Sequence, residues 1–239
     1  MKARIRFSKK GSMKLIGHLD VMRYFQKTIR RAGLDVAYSE GFNPHMLMSF
    51  ASPLGIGLTS DAEYMDLELC SLPPSSKAAI DALNQAGTKE MEVTGFVQIP
   101  DGKANKAMTL VAAADYTLHF RDGHGPEMEW ESRLNDYFAQ ETIMALKKTK
   151  HSEKEVNIRP MIYDWSVDSS TVFLKLAAGS VENLKPNLVM DTFLDQIGAR
   201  RDPFAFEINR CEIYANLMAD DAAEGERNLI SLYCLGTEF

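Results

Sequence analysis

One helical stretch of the chain closes as Leu83-Asn84-Gln85-Ala86-Gly87, and 111 residues later another closes as Leu194-Asp195-Gln196-Ile197-Gly198. Each has Leu, an amide or acid, Gln, one further residue and Gly. Glycine is common at helix ends, so this match alone is weak. The wider pattern constrains the fold more. Adding the same offset of 111 to the other elements of the first half lands on counterparts in the second half within a few residues. A period shared by six elements is the signature of a structural unit used twice.

The elements follow from local patterning. Residues 3–8 alternate, with Arg4 and Arg6 on one side and Ile5 and Phe7 on the other, as in a half-buried strand. Residues 18–33 read as a helix. At about 100° per residue, Val21, Met22, Phe25, Ile29 and Ala32 share one arc, while Arg23, Lys27, Arg30 and Arg31 share the opposite one. Gly33 is a good stop. An extended stretch at 36–39 leads into a polar loop, and two strands are expected at 46–51 and 62–69. The wetter face of the second would carry Tyr64, Asp66 and Glu68. Pro73-Pro74-Ser75 opens a second helix that ends at Gly87, and Met91, Val93, Val97 and Ile99 mark another strand. The order β-α-β-β-α-β is the ferredoxin-like motif.

In the second half, Tyr116, Leu118 and Phe120 alternate, 127–141 is expected helical, and 155–163 and 171–178 read as strands. A helix from Asn187 stops at Gly198, and 205–217 is extended. The expected architecture is α+β, with two tandem ferredoxin-like (βαββαβ) halves. Residues 1–100 form the first half, with the basic helix and the polar loop; 101–114 form a linker; 115–218 form the second half; and 219–239 form an acidic loop and tail. Within that tail, 219–228 reads as loop and 229–235 as one added strand. At roughly 150 residues per domain, the 239 residues suit this division.

Composition removes whole classes. The chain is 45% hydrophobic and 25% charged, which excludes disorder and collagen-like repeats. No stretch approaches the ~20 apolar residues of a membrane span, and Met1-Lys2-Ala3-Arg4 leads into no signal-peptide core. Cys70, Cys211 and Cys234 show no paired spacing, so a disulfide framework, a zinc ribbon and an iron–sulfur cluster all lack ligands. A reduced, cytoplasmic, soluble protein is expected.

The net charge of −6 hides an asymmetry: residues 1–50 carry ten Lys or Arg against three acids, a net +7, leaving −13 for the rest. A basic face on an acidic body suits a polyanion or an acidic partner surface, and an ordinary solvated face has the same composition.

The chemically promising residues lie in that basic half. Gly17-His18-Leu19-Asp20 starts the basic helix, where Asp20 meets the positive end of the helix dipole. His18 falls toward the apolar arc, which favours a packed histidine over a general acid or base. Ser39-Glu40-Gly41-Phe42-Asn43-Pro44-His45 combines a glycine, a proline-stiffened turn, an aromatic and four hydrogen-bonding side chains. Such loops on a rigid scaffold carry binding groups; a structural turn with Asn43 bonding its own backbone is the plainer account. Glu63 shares its face with Met65, Leu67 and Leu69, so it needs a partner unless it ends the strand in water, and Lys9, His18 or His45 are candidates. There is no Walker loop, dinucleotide fingerprint, nucleophile elbow or His-Glu-x-x-His. The five histidines suggest no metal site.

Taken in order, Arg6-Phe7-Ser8-Lys9, Gly17-His18-Leu19-Asp20, Arg30-Arg31-Ala32-Gly33-Leu34, the 39–45 loop and Glu63-Tyr64-Met65-Asp66 resemble a radical-SAM-associated domain family of otherwise unknown function. Its members form the C-terminal part of cobalamin-binding radical-SAM proteins or separate chains beside them. The motifs cover residues 4–70, and the remainder is similar only loosely, including Asn157-Ile158-Arg159-Pro160. Gly17 replaces the family's usual Ser, a change worth a few tenths of a kcal/mol at an N-cap. Met46 replaces the Pro that usually follows Asn-Pro-His.

The resemblance implies a partner role rather than a known reaction. The chain lacks the clustered cysteines of a radical-SAM enzyme, so no cofactor is expected in it; the iron–sulfur cluster, S-adenosylmethionine and cobalamin would belong to the partner. Family members are often encoded near ribosome and RNA-processing functions, which implies an RNA substrate. The leading expectation is an accessory protein, without catalysis of its own, that binds or presents RNA. Lys9, Arg23, Lys27, Arg30 and Arg31 would contact phosphate, and Asp20, Ser39, Glu40, Phe42, Asn43, His45 and Glu63 would complete the substrate site. One rival is a metal-independent endoribonuclease with His18 or His45 as acid or base, by analogy with tandem ferredoxin-like CRISPR repeat-processing nucleases. The other is a protein–protein adaptor that uses the basic helix without RNA.

Overall fold

The alternation at the N-terminus becomes strand β1 (Lys2–Lys9), and the amphipathic stretch after it becomes helix α1 (His18–Arg31). The computed structural model describes residues 1–239 except 103, 127, 128, 149–152, 169, 201, 203 and 219–225. The described residues divide into two compact units, Met1–Ala112 with Glu212–Phe239, and Ala113–Cys211. Among them, no helix is long and apolar enough to cross a membrane.

The first unit continues with β2 (Met48–Phe50), β3 (Thr59–Glu68), α2 (Ser76–Ala86), β4 (Val93–Ile99) and the one-turn helix α3 (Ala107–Leu110). Its strands lie in the order β4-β1-β3-β2, every neighbour antiparallel. The arc anticipated for α1 is the one that packs. Val21, Phe25 and Ile29 are buried against Ile5, Phe7, Met65 and Leu67 of the sheet, with Ala79 and Leu83 of α2 in the same core. The Ser75 side chain caps α2 by accepting from the Ala78 N–H at 3.1 Å.

The second unit holds β5 (Val111–Phe120), α4 (Glu131–Phe138), the hairpin β6 (Met144–Lys148) with β7 (Glu153–Asn157), β8 (Ile162–Asp168), β9 (Thr171–Ala177) and α5 (Pro186–Gln196). The strand β10 (Phe206–Asn216) begins here and crosses into the first unit, where β11 (Leu229–Ser231) pairs with it. The sheet order is β10-β5-β9-β8. Leu134, Tyr137 and Phe138 of α4 are buried, as are Leu118, Leu174, Val189 and Phe193, and the Tyr137 ring meets Phe193 edge-on at 5.5 Å.

Several sequence expectations need correction. The strand expected at 155–163 is two strands. Asn157 accepts through its side chain from the Ile143 and Arg159 N–H groups, Arg159 and Pro160 enter a 3-10 turn, and β8 starts afresh at Ile162. Proline has no N–H for a ladder, so the run breaks there. The stretch 101–114 holds α3 and the first residues of β5. Of 229–235 only three residues are strand, and Leu232–Leu235 form a 3-10 turn. Residues 127 and 128 of the expected 127–141 helix, and 219–225 of the acidic loop, lie outside the described residues.

The largest departure concerns the face of β1 and β3 expected to be wet. Arg4 is 0% exposed and Asp66 6%, and Tyr64 is buried with them. Arg4 Nε donates to Asp66 Oδ1 at 2.8 Å and Nη2 to Oδ2 at 3.2 Å; Nη1 also donates to the Leu232 carbonyl at 3.0 Å and Nη2 to the Asn105 carbonyl at 2.8 Å. Asp66 also accepts from the Ala107 N–H at 2.6 Å. The C-terminal turn and the segment before α3 therefore cover a face whose alternation suggested solvent. Alternating charges are also what a buried, fully paired network looks like in sequence.

Candidate functional site

The residues singled out in the sequence fall into an outer and an inner group, both in the first unit. The outer group is built on α1. Burying Val21, Phe25, Thr28 and Ile29 turns Arg23, Lys27, Arg30 and Arg31 to solvent. Arg23 pairs with Asp20 across one turn at 3.1 Å, both exposed, an arrangement worth little in water. Among the described residues, Lys27, Arg30 and Arg31 have no carboxylate ion-pair partner. Arg30 and Arg31 sit in the last turn, where cations also offset the negative end of the dipole.

Arg30 connects this face to the polar loop, since its Nε donates to Tyr38 Oη at 3.4 Å. The loop is closed by a clasp. The Ser39 N–H donates to the His45 carbonyl at 2.8 Å, the His45 N–H donates to Ser39 Oγ at 3.1 Å, and Ser39 Oγ lies 2.7 Å from His45 Nδ1. Tyr38 and Met46 form a bridge just outside it. Gly41 has φ 109°, a value L side chains rarely adopt, so the reversal depends on glycine there. Glu40, Phe42, Asn43, Pro44 and His45 are exposed, and Phe42 completely so.

The inner group is Lys9, His18 and Glu63. Lys9 is 2% exposed and Glu63 5%, so Lys9 lies beneath the surface rather than beside the helix arginines. Its Nζ donates to the Ile16 carbonyl at 3.0 Å and so anchors the chain entering α1. Lys9, His18 and Glu63 line one cavity of ≈ 20 Å³ with Phe7, Val21, Phe50, Pro53 and Leu54, room for about one water. His18 is packed edge-on against Phe50 at 5.1 Å, as its place on the apolar arc suggested. His45 lines a different recess, of ≈ 130 Å³, with Lys2, Ser49, Glu68 and Lys106 among its neighbours. The two histidines of the nuclease alternative thus serve separate cavities.

Gly17 is the N-cap of α1 and makes no side-chain cap bond. Burial pushes the Tyr64 hydroxyl well above the usual tyrosine range, and the Glu212 carboxylate it donates to at 2.6 Å pushes it further. Sequence reasoning missed Tyr38 as a neighbour of the basic face, although its place in the extended 36–39 stretch was visible. It also missed Arg4 and Asp66 as a buried pair, whose only signal was opposite charge on two alternating strands. Among the described residues, no group of three or more His, Cys, Asp or Glu is placed to hold a metal ion.

Comparison with known proteins adds family membership. The family model described as "Uncharacterized protein conserved in bacteria (DUF2344)" matches residues 2–186, and the chain belongs to that family. No curated protein matches it. Among solved structures it is similar to a chain of the crystal structure of a Cbf5-Nop10-Gar1 complex, with 12% identity and a TM-score of 0.44. The likeness covers 88% of this chain and 48% of that one, so this chain spans about half of that chain's length.

Proposed function

Taking the chain as a member of that bacterial family, we propose that it is an accessory protein that binds RNA and presents it to a radical-SAM partner. The observation that carries the RNA reading is the row Lys27, Arg30 and Arg31, unpaired with carboxylates among the described residues and joined through Tyr38 to a stiff, exposed polar loop. Phosphate contacts supply sequence-independent affinity, and a preformed loop beside them is where a specific group would be read. The −13 balance beyond residue 50 keeps the polyanion on this face. The radical-SAM partner, with its own iron–sulfur cluster, S-adenosylmethionine and cobalamin, follows from the motif resemblance of residues 4–70. The unpaired spacing of Cys70, Cys211 and Cys234 supports a reducing, cytoplasmic location.

The strand orders β4-β1-β3-β2 and β10-β5-β9-β8 support the tandem ferredoxin-like reading of the scaffold. Separate cavities for His18 and His45 count against an endoribonuclease built on that pair. Lys9, expected among the phosphate contacts, is held by Ile16 below the surface and leaves that row to the helix cations.

The test is RNA binding as a function of salt by the full chain and by the Arg30→Gln, Arg31→Gln double variant. Losing two phosphate contacts flattens the slope of log K against log salt by about 1.4, at ~0.7 per contact on a single strand. An unchanged slope and affinity remove the phosphate role. Affinity purification from native cells, before and after nuclease treatment, tests the partner: a radical-SAM protein recovered with RNA supports presentation, and the same protein without RNA favours the adaptor.

A further inference from the structure

We propose that Phe42 is a stacking platform for an unpaired base, so that the RNA held by the cationic face of α1 is single-stranded or looped rather than duplex. This rests on the RNA-binding reading above and names its substrate class. Phe42 is fully exposed. A phenylalanine in water leaves its burial free energy unrealised until something covers it. A mobile loop would explain such exposure by disorder of the tip, but the 39–45 loop is held from several directions. Three contacts between Ser39 and His45 close its neck, the Tyr38–Met46 bridge sits behind them, Gly41 turns the chain, and Pro44 fixes the backbone on the far side. The ring is therefore presented by geometry.

Its surroundings indicate what covers it. The loop springs from Tyr38, itself exposed and bonded to Arg30, so the loop that carries the aromatic tip is tied at its base to the cationic helix. Every unpaired base offers a π face and every nucleotide a phosphate, and this pairing of aromatic and cation is how single strands are held without sequence preference. A duplex keeps its base faces stacked on one another, so it would use the cations and leave Phe42 bare.

The experiment compares binding of a labelled single-stranded oligoribonucleotide with binding of the same strand annealed to its complement, using the full chain. Phe42→Ala should weaken single-strand binding about 5- to 150-fold while leaving duplex binding and the salt slope as they were. Phe42→Trp keeps a π face and should preserve affinity. Val181→Ala, which truncates an exposed apolar side chain in the second unit, should change nothing. An unaltered single-strand affinity in Phe42→Ala, alongside weakened binding in the Arg30→Gln, Arg31→Gln variant, overturns the stacking role and leaves the RNA reading intact. Equal losses on both RNA forms also overturn it. A wild-type chain that binds neither form refutes both readings, and a radical-SAM protein then captured by wild type but not by Phe42→Ala assigns the ring to a protein socket.

Discussion

Apart from the hairpin β6–β7, the two units string their elements in the same order, and they even repeat a buried charge at the same place with the signs exchanged. Arg4 on β1 stands opposite Asp66 on β3, and Asp115 on β5 stands opposite Lys175 on β9. Asp115 follows Arg4 by the same offset of 111 that relates the two helix ends. The first pair is bidentate at 2.8 and 3.2 Å and almost fully buried, with further bonds to Leu232, Asn105 and Ala107. The second is a looser contact at 3.8 Å, and the Lys175 side chain is 25% exposed. The surfaces diverge further. Helix α1 carries Arg23, Lys27, Arg30 and Arg31, whereas the shorter α4 carries Arg133 between Glu131 and Asp136. A repeated scaffold thus fixes where charges can face each other across a sheet. The exposed cationic row belongs to one unit.

The largest test of this contrast is to remove the cation of each pair. Arg4→Met leaves the Asp66 carboxylate buried without its guanidinium, which should cost about 3–5 kcal/mol. Lys175→Met should cost less than half as much, because its partner pair is wider and reaches solvent. Urea unfolding of both variants measures the difference. Equal losses would mean that the geometry of the two pairs does not set their worth.

The surfaces are compared by neutralising equivalent helices. Arg30→Gln with Arg31→Gln on α1 should weaken RNA binding and flatten its salt slope, while Arg133→Gln on α4 should leave both unchanged. Weakening by Arg133→Gln would move the cationic surface off α1 and break the asymmetry between the units.

Each unit also buries a tyrosine whose hydroxyl is held above its ordinary range. Burial does this for Tyr137, which donates to the Val189 carbonyl at 3.2 Å. For Tyr64, burial is joined by the Glu212 carboxylate. Since the folded values are raised, both hydroxyls stay protonated in the folded chain while the unfolded chain ionises at about pH 10. Their contribution is complete below that pH and is lost above it, by up to about 1.4 kcal/mol per pH unit for each tyrosine. Ultraviolet titration should find these two silent until the chain unfolds in alkali. Tyr233, pushed up to about 12 by burial and by the Glu238 carboxylate, ionises late but before these two. Tyr64→Phe should lower the number of silent tyrosines by one, and an unchanged number would show that the late group is elsewhere.

How much of this was legible before the structure depends on what each signal measures. The arc of Val21, Phe25 and Ile29 placed α1 within two residues of its observed end, because helix periodicity reports one buried stripe directly. The Ser39–His45 loop was legible as polar and stiff from its glycine and proline. Alternation in β1 and β3 misled, since it distinguishes two faces and says nothing about what covers the second. Leu232 and Asn105 do so from far along the chain. For the same reason Lys9 looked like a surface cation: its place under the segment leading to α1 depends on Ile16 folding back over it. The hairpin β6–β7 was hidden because it fills the span 144–157 that the offset of 111 sets against 33–46, so it adds no net length and leaves the period unchanged.

The start of the first helix offers the smallest test. Neither α1 nor α4 begins with a side-chain cap; the N-cap positions hold Gly17 and Trp130. At Gly17 the backbone is already extended, with φ −81° and ψ 170°, the conformation a capping serine needs. A Cβ there meets only Ile56 Cδ1, at 3.8 Å, an ordinary contact. Gly17→Ser should therefore stabilise the chain by a few tenths of a kcal/mol, read as a small rise in Tm. The same replacement at Trp130 offers no such gain, because its buried ring meets Phe120 edge-on at 4.9 Å and its loss opens the core. A destabilising Gly17→Ser would instead show that the approach of Ile56 to this turn, beside the cavity of Lys9, His18 and Glu63, leaves no room for a side chain. Glycine would then be fixed there by packing of the inner site rather than merely tolerated as a weak cap.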